Sequence, residues 1–122
     1  LVIRKYPGTA TNGFLINDIK IMRLSEMYLI KAEAQIAAND LAGAAATIRT
    51  VRNARHNKVQ DLPVYADAVA AWKDVLRERR KEFAYEGFRY VDLKRIGGFA
   101  NEGIQRDPVD CAINGQCSLS VD

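Results

Sequence analysis

The chain is poor in the residues that most chemistry needs. Its 122 residues include one histidine, two cysteines, three prolines and one tryptophan. A di-metal helical bundle takes Glu-x-x-His from paired helices. Helical carboxylates stand at Glu26, Glu33, Glu78, Glu82 and Glu86, but His56 shares no such spacing with them, so no metal is expected. Two cysteines cannot complete a zinc site. Neither lies near His56 in sequence, and no Gly-x-Ser-x-Gly elbow is present. Ser25 has no evident base beside it. Gly97-Gly98 lacks the Lys-Ser/Thr of a phosphate loop and follows a helix instead of a strand. The expectation is a protein that is not an enzyme and carries no cofactor.

Long apolar runs and one-signed charge are also missing. No stretch approaches the roughly 20 residues of a membrane span. Leu1-Val2-Ile3 has neither an initiator Met nor the charged region that opens a signal peptide, so the chain reads as a fragment or a processed product. Net charge is +3, with basic residues interleaved among acids. Arg49, Arg52 and Arg55 fan out over about 120° of a helix, which predicts a solvated face paired with acids and no nucleic acid partner. What remains is 48% hydrophobic and 27% charged, a globular composition with enough length for one small core.

The periodicity is helical. Leu1 to Tyr6 is β-prone, Pro7-Gly8 marks a turn and Thr9 to Asn17 reads as a loop. Asn17-Asp18 precedes the first helix, expected over about 21–38. That helix is apolar almost all round, which predicts cover on more than one side. At Asn39-Asp40, Asn suits a left-handed C-terminal position and Asp an N-cap. The second helix is expected over about 41–55, with Leu41, Ala44, Ala45, Ile48 and Val51 facing inward. A two-residue link makes the pair an antiparallel hairpin, similar to one tetratricopeptide unit. A loop with Pro63 follows. Helices are expected at about 66–86 and 89–96, stopped by Gly97-Gly98, and 97–122 reads as irregular.

The most informative stretch is Asp74 to Arg95. At about 100° per residue, Trp72, Val75, Leu76, Phe83 and Gly87 share one arc, and Arg79 falls inside it. A guanidinium on a core-facing stripe needs a carboxylate partner, because an unpaired buried charge is very costly. The candidates are Glu82, Glu86 and the first-helix glutamates Glu26 and Glu33. Glu78, Glu82 and Glu86 form a carboxylate ridge beside the buried face. Gly87 is expected to end or bend the helix.

Glu78-Arg79-Arg80-Lys81-Glu82-Phe83, followed by Glu86-Gly87-Phe88-Arg89 and Asp92-Leu93-Lys94-Arg95, resembles a signature of the C-terminal helical part of the SusD/RagB family. Arg23 to Ala34 (Arg-Leu-Ser-Glu-Met-Tyr-Leu-Ile-Lys-Ala-Glu-Ala) resembles that family's preceding helix, and Arg4 to Gly8 resembles its lead-in. The resemblance spans roughly residues 1–97. It implies an all-α, tetratricopeptide-like fold: a helical hairpin plus a long and a short helix, with irregular N- and C-terminal segments. Residues 1–122 would be a single domain, the C-terminal fragment of a larger protein.

The resemblance further implies glycan or other nutrient binding at the cell surface and delivery to a TonB-dependent outer-membrane transporter. A lipid anchor outside this fragment would hold the protein on the outer membrane. It supplies no ligand-binding residue, and the matched signature residues are expected to be structural. The alternative is a soluble tetratricopeptide-like adaptor for protein partners. In an exported protein, a turn at Asn114-Gly115 would let Cys111 and Cys117 form a disulfide; in a reduced compartment they would be free thiols. Among the aromatics, Trp72 is expected in the core, and Tyr65 and Tyr85 are the better candidates for exposure and sugar stacking, ahead of Tyr90.

Overall fold

The computed structural model describes residues 8–9, 13–14, 21–105, 107–115 and 118–119. The lead-in Leu1 to Tyr6, the Asn17-Asp18 pair and Cys117 lie outside them. The expected all-α architecture is present. A short antiparallel pair, β1 (Gly8–Thr9) and β2 (Gly13–Phe14), precedes the helices, with Gly8 opposite Phe14.

Helix α1 (Leu24–Ala37) begins three residues later than its apolar pattern suggests. Arg23 is extended there (φ −134°, ψ 144°), and its guanidinium reaches away to Glu86 and over the Phe83 ring, 5.1 Å from the centroid. Asn39 takes the left-handed conformation (φ 61°). Asp40 then caps α2 (Leu41–His56), accepting from the Gly43 N–H at 2.8 Å. The two helices form the hairpin, tied by Thr47 Oγ1 donating to Gln35 at 2.7 Å.

α3 runs over Ala68–Glu82, shorter at both ends than 66–86. Asp67 sets its start by accepting from the Ala70 N–H at 2.7 Å. At the other end the chain leaves the helix through a turn with positive φ at Tyr85 (65°) and Gly87 (80°). Gly87 is thus the residue before α4 (Phe88–Asp92), not the one that ends α3. The rings of Phe83 and Phe88, 4.9 Å apart, pin this turn.

Gly97-Gly98 does not stop the helical part. α4 passes into a π-helical turn, Leu93–Gly97, and then into α5 (Gly98–Ala100). The stop is Asn101, left-handed at φ 50°. Gly97 serves a different need: a Cβ there would lie 2.6 Å from the Glu102 carbonyl oxygen, so the returning chain can approach only a glycine. The tail is also more ordered than expected. β3 (Ile104–Gln105) pairs with β4 (Ser118–Leu119), and α6 (Pro108–Asn114) lies between them. Asp107 caps α6, accepting from the Val109 N–H at 2.9 Å, and Pro108 fits its first turn because no N–H is needed there.

The core joins α1 to α5 and the π-helical turn. Leu29, Ala32 and Ile36 of α1 meet Ala44, Ile48 and Val51 of α2 and Ala71, Val75 and Leu76 of α3. Phe83, Leu93, Ile96 and Ala100 extend it. Alanine at 32, 44 and 71, fully buried in each case, lets the backbones approach closely. The expectation that α1 is covered on several sides does not hold among the described residues. Leu24, Met27 and Ile30 are exposed, because α2 and α3 both pack on the Leu29–Ile36 side.

Candidate functional site

Two charged regions flank α3. The first is inside. Arg79 is 3% exposed, and its guanidinium lies over the Phe83 ring, 4.8 Å from the centroid. Its Nε donates to Asp92 at 2.8 Å. Its Nη1 sits 3.3 Å from Glu33 Oε1, close enough for ionic attraction but outside hydrogen-bond geometry. Arg95 closes the ring. It donates to both oxygens of Glu33, at 3.0 Å for one of them, and lies 3.4 Å from Asp92. Two guanidiniums and two carboxylates thus neutralise one another across α1, α3, α4 and the π-helical turn. The Arg95 guanidinium is held more firmly protonated than usual, chiefly by its hydrogen bonds to Glu33, against the opposing effect of burial.

The other glutamates that were candidate partners for Arg79 have different neighbours. Glu82 accepts from Arg55, with Arg55 Nε at 2.5 Å, and from Ser25 Oγ at 2.7 Å. Burial works to raise the Glu82 carboxyl, but these bonds and the charges of Arg55 and Arg23 hold it below the usual glutamate value. Glu86 pairs with Arg23. Glu26 makes no ion pair among the described residues. The acidic ridge is completed by Glu78, 2.9 Å from Arg52 Nε, with Asp74 at 2.7 Å from Arg52 Nη2. Burial pulls the Arg52 guanidinium down, but the two carboxylates outweigh it and raise it. Arg52 and Arg55 are therefore rivets between α2 and α3, with Arg49 left outside these pairs.

The second region is outside. Lys73, Arg77 and Arg80 are exposed along α3 and line a cleft of about 940 Å³ with Arg89, Tyr90, Leu93 and residues 101–105. Tyr90 is 56% exposed, and Lys94 Nζ lies 6.0 Å from its ring centroid. Tyr85 is also exposed. Tyr65 is not free as expected: it packs on the core, and its hydroxyl donates to Asp74 at 2.7 Å. Burial first, and then this bond, push the phenol's pKa up. Trp72 is half-buried and stacks on Phe99, 5.3 Å between centroids. Among the described residues no cluster of His, Cys, Asp or Glu is arranged to hold a metal. None of their helices is long and apolar enough to cross a membrane. Cys111 is buried in α6; Cys117 lies outside the described residues.

The Arg79, Glu33, Asp92 and Arg95 ring is built wholly from the two sequence motifs, which lie far apart in the chain and meet only in the fold. The model of the SusD family matches residues 1–115. The chain belongs to the SusD family. No curated protein and no solved structure matches it.

In this SusD-family chain several of the motif residues are engaged in ion pairs. Glu78, Arg79, Glu82, Glu86, Asp92 and Arg95 pair with side chains on other elements of the same fold. Asp92, Arg95, Arg55 and Arg23 are the partners that sequence reasoning missed. For Asp92 a signal existed, since it lies 13 residues from Arg79 across a glycine turn. The spacing of α2 places Arg55 in a row expected to pair with acids, but nothing in it names Glu82 as the partner. The family is one of carbohydrate-binding, non-catalytic proteins of helical, tetratricopeptide-like build.

Proposed function

We propose that this chain serves in capture of a glycan or another nutrient at the cell surface, as the helical scaffold of an outer-membrane lipoprotein that delivers its ligand to a TonB-dependent transporter. Binding and hand-over, without bond cleavage, would be the whole mechanism. Family membership over residues 1–115 carries the reading. In it residues 1–122 act as one domain, the C-terminal helical part of a larger protein, and a Cys111–Cys117 disulfide staples the tail in an oxidising compartment.

The ring of Arg79, Glu33, Asp92 and Arg95 suits such a role. It ties four elements through three buried side chains and the partly exposed Arg95, leaving most of the outer faces for ligand and transporter. The test is fractionation of cells that make the protein, with an antibody to this chain and external protease. Recovery in the outer membrane, with protease sensitivity in intact cells, supports the reading. A soluble cytoplasmic band overturns it in favour of an adaptor.

A further inference from the structure

The charges of α3 are sorted by face. Asp74, Glu78 and Glu82 lie on one flank of its buried arc, and Arg52 and Arg55 of α2 neutralise them. Lys73, Arg77 and Arg80 lie on the other flank at spacings of four and three, one stripe of the helix. Among the described residues none of these three makes an ion pair. Like charges at such spacings destabilise a helix by a few tenths of a kcal/mol per pair (~0.2–0.5). An anion lying along the stripe removes that repulsion.

The stripe faces a cleft. Arg89 of α4 joins it from the other wall. Its only ion-pair partner among the described residues is Glu102, at a loose 3.7 Å. Arg89 Nη1 is buried, and no described residue accepts its hydrogen bond. Four cations against one carboxylate make the cleft strongly electropositive. Guanidiniums take carboxylate and sulfate groups through paired donors. Tyr90 also lines the cleft, with its ring more than half exposed. An aromatic face of this kind matches the apolar face of a pyranose.

We propose that the cleft between α3 and α4 binds an acidic oligosaccharide, with its carboxylate or sulfate groups on Arg77, Arg80 and Arg89 and a sugar ring on Tyr90. This rests on the glycan-capture reading and narrows it to charged sugars. A nucleic acid also offers anions, but among the described residues the cleft presents one exposed aromatic ring, where single-strand binders stack successive bases on several.

The test is calorimetric titration of the purified chain at low and moderate salt. The ligands are a hexamer of galacturonic acid, a sulfated hexasaccharide, a neutral xylose hexamer, inorganic sulfate and a thymidylate hexamer. Either acidic sugar should bind on the order of tenfold or more tighter than the neutral one, and more weakly as salt rises. Arg77→Gln/Arg80→Gln should weaken acidic-sugar binding on the order of tenfold to a hundredfold, with circular dichroism unchanged. Tyr90→Ala should weaken binding of the acidic sugars and leave sulfate binding unaltered. Equal binding of acidic and neutral sugars, unmoved by the double substitution, overturns the inference and leaves glycan capture standing. Binding of thymidylate without any sugar overturns both. Sulfate binding as tightly as the acidic hexamers overturns the role of Tyr90 and hence the sugar assignment. No binding by any ligand overturns the inference, while cell-surface fractionation decides the wider reading separately.

Discussion

Replacing Arg79 by Met removes one guanidinium and keeps most of the side-chain volume. Glu33 and Asp92, at 7% and 2% exposure, then share a single cation. Breaking a buried pair by deleting one partner costs about 3–5 kcal/mol, because a charge is left without compensation. Here the cost belongs at the low end, about 3 kcal/mol, since Arg95 still lies 3.0 Å from Glu33 and 3.4 Å from Asp92. Unfolding entropy runs near ~2.1 cal/mol/K per residue. Over 122 residues that is about 0.26 kcal/mol/K. The melting temperature should therefore fall by about 12 °C. Thermal and urea unfolding followed by circular dichroism at 222 nm read this directly. A double-mutant cycle with Asp92→Asn isolates the contact: the two changes together should cost less than their sum, by about 1–3 kcal/mol. An Arg79→Met protein within ~0.5 kcal/mol of wild type, or a strictly additive cycle, would refute the claim that this arginine neutralises buried acids.

Two further outcomes follow from the same geometry. The Glu82 carboxyl is held below its ordinary value near 4.5, so the folded state favours its ionised form. That stability is present above the unfolded value and is lost as pH falls through the folded one. Denaturant titrations from pH 6 to pH 3 should show wild-type stability falling more steeply than that of Glu82→Gln, and parallel curves would count against the Arg55–Ser25 clamp. Gly97→Ala places a methyl 2.6 Å from the Glu102 carbonyl and should cost about 1–3 kcal/mol. Gly98→Ala, with open space around its Cβ, should be neutral or should stabilise by up to ~1 kcal/mol. Equal melting temperatures for the two variants would remove the close-approach argument.

Local physics made much of this fold legible in the sequence. The 3.6-residue period, the Asn39-Asp40 break and the apolar face of α2 specify the hairpin, because each depends on neighbours within a few residues. Asp107-Pro108 also carried a legible start signal for α6, overlooked beside the polar composition of the tail. The ends of α3 and the run through Gly97 were less readable. A glycine reads the same whether it stops a helix or admits a neighbouring carbonyl.

The sequence alone determined that Arg79 must find a carboxylate, since its place on an apolar stripe and the cost of burying a bare charge leave no alternative. Which carboxylate it finds was decided by tertiary structure. The turn at Tyr85 and Gly87 folds Asp92 back under α3, and packing of α1 brings Glu33 to the same point. Glu82 and Glu86, nearer in sequence, are drawn off by Arg55 and Arg23. The cationic cleft has the same origin. The periodicity of α3 places Lys73, Arg77 and Arg80 in one row, but only the return of α4 and residues 101–105 gives that row an opposite wall.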